Sequence, residues 1–197
     1  DWQRALVNAA ASGSNARVQL CIEKGANDWN RALYSAAVSG NKDLIDFFIA
    51  QGATDMNQGL VGAACAGNIQ LVNFFIKKGA NDWNRALMYA IPVYALSGIC
   101  GRPPAPKDEN LIEFFIAKGA NDWKYAIAEA VEYEHRDLAE FFVKKGGKWD
   151  HCVSAAHKKG YKELEEYFVK IHMEAKRNAT WKSADRWKEA IKMHMKF

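Results

Sequence analysis

The stretch GANDWNRAL occupies residues 25–33 and recurs without change at residues 79–87. A shorter copy, GANDW, occupies residues 119–123, and a diverged copy, GATDMNQGL, occupies residues 52–60. The tryptophan of this stretch, which is methionine in the diverged copy, marks one position in each repeat. From Trp2 to Trp149, successive marks are 27, 27, 27, 40 and 26 residues apart. A period of this length is typical of repeat proteins, whose units bury their apolar faces against their neighbours. The sequence therefore predicts about six short repeats, with a 13-residue insertion in the fourth.

Each repeat contains two helical patterns, which predict an all-α chain. The first is short and rich in alanine, as in residues 32–37, and a glycine follows it. The second carries a broad apolar stripe, as in residues 44–49, which indicates a helix buried between neighbours. In the linker that precedes each first helix, Asn27, Asp28 and Asn30 are all candidates to cap that helix.

The pattern A-L-x-x-A-A-x-x-G-N-x-x-L-I-x-F-F-I-x-x-G-A resembles the ankyrin repeat, a helix–turn–helix unit with a 33-residue period. The resemblance covers about residues 1–170. Two features differ from the ankyrin unit: its T-P-L-H signature is N-R-A-L here, and six residues that form its β-turn finger are missing. Short repeats of this kind are similar to those of ankyrin-like proteins of large DNA viruses. The resemblance implies an all-α, ankyrin-like solenoid that binds a protein, acts without a cofactor or small-molecule substrate, and is not an enzyme. If the viral similarity holds, the expected partner is a host protein and the expected location is the host cytoplasm.

In ankyrin arrays the partner contacts outward positions on the first helix of each repeat, and also the fingers. Carried over to this sequence, the outward positions expected to bind a protein are Ser35, Ser39, Tyr89, Glu129 and Tyr133. Because the fingers are absent here, part of the binding is expected to shift to the insertion.

The insertion, residues 94–109, is rich in proline and glycine and shows no helical periodicity. A long loop on a rigid scaffold often carries binding, and Arg102, Lys107 and Asp108 are its expected exposed contacts. The alternative is a neutral insertion, which a repeat tolerates because closing a longer loop costs little free energy.

The tryptophan of each repeat has two interpretations, a ladder for a ligand or a packing residue that fills the space of the lost finger and joins one repeat to the next. Its replacement by Met56 favours packing, because methionine commonly fills gaps in a core. Cys21 occupies a position that is phenylalanine in later repeats, as at Phe48, and is predicted to be a small core residue.

Charge divides the chain into an acidic array and a basic end. Residues 1–143 carry 13 Lys and Arg against 16 Asp and Glu, whereas residues 144–197 carry 14 against 7. We expect the repeat array to span residues 1–172 and a basic helical cap to span residues 173–197. The cap could instead be an amphipathic helix for a membrane surface or a partner. Two alternative functions stay open, binding of nucleic acid through the basic end, which is not favoured, and a structural spacer within a longer array.

The sequence contains no catalytic constellation, and its five histidines lack the spacing of metal ligands. No apolar run is long enough to span a bilayer. Four cysteines without a C-x-x-C pair, and no signal peptide, favour a reducing, cytoplasmic location. The chain begins inside a repeat, which suggests a piece of a longer array.

Overall fold

The computed structural model describes residues 1–96 and 111–177, and every regular element in these two ranges is an α-helix. The helices are α1 (Trp2–Ala11), α2 (Asn15–Glu23), α3 (Trp29–Ser39), α4 (Lys42–Ala50), α5 (Met56–Cys65), α6 (Ile69–Lys77), α7 (Trp83–Leu96), α8 (Leu111–Ala117), α9 (Trp123–Glu132), α10 (Arg136–Lys144), α11 (Trp149–Lys159) and α12 (162–177). The prediction of an all-α chain is confirmed for the described residues.

The chain forms two compact units, Asp1–Asp122 and Trp123–Phe197. In the first unit, α1, α3, α5 and α7 pack side by side, and we call them the first helices. Each first helix also packs against the helix that follows it, so α2, α4, α6 and α8 are the second helices. In the second unit, α9 packs against both α10 and α11.

Two helix boundaries differ from the sequence expectation. The insertion was expected to begin at residue 94, but α7 continues to Leu96 and therefore runs through Pro92. Helix α12 passes without a break through residue 172, so the expected boundary between array and cap falls inside a helix. The remainder of the insertion and of the expected cap lies outside the described residues.

An aspartate caps the first helices. The carboxylate of Asp28 accepts a hydrogen bond from the backbone N–H of Arg31 at 3.2 Å. The equivalent residues, whose carboxylates accept from N–H groups in the same way, are Asp1, Asp55 and Asp82. Of the three candidate caps in the linker, Asp28 therefore caps the helix.

The amide residue after each tryptophan position has a different role. The Oδ1 atom of Asn30 accepts from the backbone N–H groups of Thr54 and Asp55, both at 3.0 Å, in the linker of the next repeat. The same pair of bonds, with N–O distances of 2.7 to 3.0 Å, is made by Gln3, Asn57 and Asn84. We call these four residues the amide ladder. The ladder supplies hydrogen-bond acceptors to linker N–H groups that have no acceptor within a helix. It also joins consecutive repeats of the first unit.

A buried phenylalanine fills the core at the second helices α4, α6 and α8 and at α10 and α12, and the tryptophan packs on it. Phe48, Phe75, Phe115, Phe142 and Phe168 are fully buried, and Cys21 in the equivalent position is 4% exposed, as the sequence predicts. The ring of Trp29 stacks on Phe48 at 6.3 Å between centroids, and Trp123 stacks on Phe142 at 6.2 Å. The contact joins the two helices of one repeat, so packing explains the tryptophan, although it was expected to join successive repeats.

Candidate functional site on the first helices

The first helices of the first unit share an unusual charge composition. They contain Arg4, Arg31 and Arg85 but no lysine, aspartate or glutamate. Arg31 is two-thirds exposed at its side chain, and its ion pair with Asp28 is a long contact of 3.7 Å. The exposed face of these helices therefore offers cationic donors without interspersed carboxylates, apart from the capping aspartates at the helix starts.

The diverged third repeat brings α5 close to its neighbours. A Cβ atom added to Gly62 would lie 2.4 Å from the carbonyl oxygen of Tyr34 and 2.8 Å from Cβ of Ala37. One added to Gly59 would lie 2.1 Å from the ring of Phe75. Because real Cβ atoms do not approach neighbours so closely, α5 can contact α3 and α6 at these distances only with glycine at both positions.

Two tyrosines meet across α5. Tyr34 belongs to α3 and Tyr89 to α7, yet their rings form an edge-to-face pair at 6.3 Å between centroids. Tyr34 also shares a hydrogen bond with Cys65, one turn beyond Gly62 on the intervening helix. Gly62 is buried against α3 and lets α5 lie close to the backbone of Tyr34. Tyr89 remains 37% exposed, so the aromatic pair contributes to the surface.

Arg85 lies at the edge of this pair. Its Nη2 atom donates to Oε1 of Gln58 at 3.4 Å, which is a contact with a neutral amide. Partial burial, and next the neighbouring Cys65, raise the pKa of Tyr34 to about 12, and the positive charge of Arg85 opposes that rise. The Tyr34 phenol is protonated at neutral pH, and its hydrogen bond is made with Cys65. We call Tyr34, Gly62, Cys65, Arg85 and Tyr89 the tyrosine patch.

Of the binding residues expected from the sequence, Tyr89 belongs to the tyrosine patch. Ser35 is only 4% exposed and cannot contribute to a surface. Ser39 is exposed, but its hydroxyl donates to the backbone oxygens of Ala36 at 3.0 Å and Ala10 at 3.3 Å. The expected contacts of the insertion, Arg102, Lys107 and Asp108, lie outside the described residues.

Sequence reasoning missed Tyr34, Gly62 as a shape determinant, and Arg85. The available signal was the alignment of the repeats themselves. Tyr34 and Tyr89 fall on opposite sides of the one repeat in which two glycines replace larger residues. These positions can be connected only in the structure, where α3, α5 and α7 lie side by side.

The other two expected residues, Glu129 and Tyr133, lie in the second unit. Partial burial, and next the neighbouring Glu132, raise the pKa of Glu129. Glu132 itself forms an ion pair with Lys159. Tyr133 lines an open cleft of about 580 Å³ together with residues of the turn before α10 and of α12.

Several polar groups around this cleft already contact one another or a neighbour. Arg136 lies over the ring of Tyr167 at 4.6 Å from its centroid and also contacts Asp137 at 3.7 Å. The hydroxyl of Tyr167 donates to Glu140 at 2.5 Å. A cleft of mixed and internally paired charges makes a weaker binding candidate than the tyrosine patch.

No family model matches the chain, and no curated protein matches it either. Within residues 1–96 and 111–177, no helix has the length and apolarity needed to cross a membrane. The same residues contain no group of three or more His, Cys, Asp or Glu side chains arranged to hold a metal ion.

Proposed function

We propose that the chain is a non-enzymatic protein-interaction module, built as an ankyrin-like solenoid of about six helix pairs. Its main binding surface in this proposal is the exposed face of the first helices, centred on the tyrosine patch. The observation that carries the proposal is the pairing of half-buried Tyr34 with exposed Tyr89 across α5, beside Arg85.

The composition of the patch supports a role in protein binding. Tyrosine and arginine are enriched at the energetically dominant positions of protein interfaces. A tyrosine has few rotatable bonds, and so it loses little conformational entropy on binding. Tyr34 is held by its contacts with Cys65 and Tyr89, which reduces that loss further.

The scaffold beneath the patch supports the same role. Amide-ladder residues Asn30 and Asn57 connect the repeats that carry Tyr34, Gly62 and Tyr89. Side chains on helices joined in this way keep their relative positions, which lowers the entropic cost of binding a partner. Residues 94–109 remain a proposed second contact, and a host protein in the cytoplasm remains the proposed partner if the viral resemblance is correct.

Affinity capture tests the proposal. Nuclease-treated cytosol would be passed over the immobilised native chain, the Tyr89→Ala variant and the Tyr125→Ala variant, with retained proteins quantified by mass spectrometry. Tyr125 is an exposed tyrosine of the second unit and provides the matched control. Circular dichroism would first establish that all three chains fold alike.

We expect the native chain and Tyr125→Ala to retain the same protein, and Tyr89→Ala to lose it. Equal retention by all three chains would refute the tyrosine patch as the binding surface. If no protein is retained by any chain, the spacer function replaces this proposal. Retention of nucleic acid from lysate that has not been treated with nuclease would favour binding through the basic end instead.

A further inference from the structure

We propose that the partner segment recognised by the tyrosine patch is acidic, and that it places an Asp or Glu carboxylate against Arg85. This inference rests on the proposed function, because it specifies the chemistry of the partner at the same surface.

The charge of the first helices is the first argument. Their three arginines are accompanied by no acidic residue within the helices themselves. The nearest carboxylates are the capping aspartates, and they already accept hydrogen bonds from backbone N–H groups, as Asp82 does from Arg85 at 3.1 Å. Arg31 has a carboxylate partner in Asp28 at 3.7 Å, whereas Arg85 forms no ion pair within the described residues. The positive charge of Arg85 is therefore the one that a partner's carboxylate could match.

The hydrogen-bonding groups of the patch are the second argument. Arg85 has five N–H donors and no acceptor, and the hydrogen bond recorded for its guanidinium goes to the neutral Gln58 amide. Tyr89, which is 37% exposed, adds a phenol hydroxyl to the patch. A carboxylate accepts several hydrogen bonds at once and pairs with guanidinium in a bidentate geometry, which satisfies these donors better than a neutral group would.

The arrangement does not suit nucleic acid. Affinity for a polyanion depends on several cations that neutralise successive phosphates. Here the arginines alternate with Asp1, Asp28, Asp55 and Asp82 at the starts of the same helices, and those carboxylates repel an extended phosphate chain. A single, locally placed carboxylate avoids this conflict.

A displayed library of random 12-residue peptides provides a test that does not require the partner to be identified. Peptides would be selected on the immobilised native chain, sequenced, synthesised and titrated by fluorescence anisotropy. The titrations would use the native chain and the Arg85→Gln, Tyr89→Ala and Arg17→Gln variants. Arg17 is exposed on α2, a second helix, and it controls for the loss of one positive charge elsewhere on the unit.

We expect the selected peptides to contain more Asp and Glu than the unselected library. Arg85→Gln should weaken their binding about tenfold or more, because a charge-assisted hydrogen bond contributes roughly that factor. Replacing the critical peptide carboxylate by its amide should weaken binding similarly, and the two changes together should cost less than their sum. Arg17→Gln should leave the affinity unchanged.

The possible failures are distinguishable. Peptides that need Tyr89 but show no acidic enrichment and bind Arg85→Gln normally would overturn the acidic partner and leave the binding surface intact. A selection in which no peptide depends on Tyr89 would overturn the proposed surface itself. Displacement of the selected peptides by an equimolar DNA oligonucleotide at the same salt concentration would show that the face prefers a polyanion, contrary to the inference.

Discussion

At the scale of single residues, neighbouring side chains of one short motif perform separate tasks. Within D-W-N, the aspartate caps its own helix, the tryptophan packs on the phenylalanine of its own repeat, and the asparagine reaches the next linker. The sequence identifies all three as structural. It does not assign the roles of Asp28 and Asn30, because both carry an oxygen acceptor at a suitable distance from a helix start.

The amide ladder makes a quantitative prediction for Asn57. Its Oδ1 atom accepts from the N–H groups of Asn81 and Asp82 at 2.8 and 3.0 Å. Asn57→Ala leaves both donors without this acceptor, and we expect the free energy of unfolding to fall by about 1–3 kcal/mol. Urea denaturation followed by circular dichroism measures the change. The exposed Asn73 of α6 provides the control, since Asn73→Ala should change stability by less than about 0.5 kcal/mol. Equal effects of the two substitutions would contradict the role of the ladder.

Tyr34 makes a prediction about alkaline pH. Its pKa is raised from 10.0 to about 12 in the folded chain, chiefly because burial disfavours the phenolate. Above pH 10 the unfolded chain releases this proton while the folded chain retains it, so the contribution of Tyr34 to stability is lost between pH 10 and about 12.

The Tyr34→Phe variant isolates that contribution. We expect the native chain to lose more stability than the variant when urea denaturation is compared at about pH 9 and about pH 11. Absorbance of the phenolate during a pH titration would show directly whether the native chain contains one late-titrating tyrosine that the variant lacks. A native chain and a variant with the same alkaline loss would contradict the burial of this phenol.

At the scale of helices, the sequence predicts which helices form, and in what order, better than it predicts where they end and which side chains they bury. The broad apolar stripe identifies α4, α6, α8 and α10, and all four lie where it predicts. The end of α7 was not predicted, because a proline inside a helix usually ends it. Ser35 was expected to face outward, but α3 is covered on both sides, by α1 and by the closely approaching α5. The close approach depends on Gly59 and Gly62, whose importance appears only in three dimensions.

The repeat spacing before α11 is 26 residues, and the capping aspartate of the earlier repeats is absent there. Lys148 occupies the capping position in an extended conformation, and its side chain makes no capping hydrogen bond. We expect Lys148→Asp to raise the free energy of unfolding by about 1 kcal/mol, because aspartate accepts from the first N–H groups of the helix. Lys148→Ala is the matched control, since it removes the same charge but supplies no acceptor. Equal stabilities of the two variants, measured by urea denaturation, would argue against a missing cap.

At the scale of the whole molecule, the bonds between repeats are unevenly distributed. The four residues of the amide ladder and their linker partners all lie within Asp1–Asp122. The next equivalent position is Lys124, which has no oxygen acceptor, and in the second unit α10 and α11 begin without a side-chain cap. Stability in repeat proteins is approximately a sum of the stability of each repeat and of each junction, so the two units should differ.

We therefore expect the second unit to open at lower denaturant concentration than the first. Hydrogen exchange followed by mass spectrometry, in increasing urea, would report the two units separately through peptides from α4 to α6 and from α9 to α11. Amides of the second unit should lose protection at a lower urea concentration than those of the first. In Asn57→Ala, the first unit should lose protection at a lower urea concentration than in the native chain, and the second unit should be unchanged. Simultaneous loss of protection along the chain would mean that the uneven ladder does not control local stability, and that both units unfold as a single cooperative body.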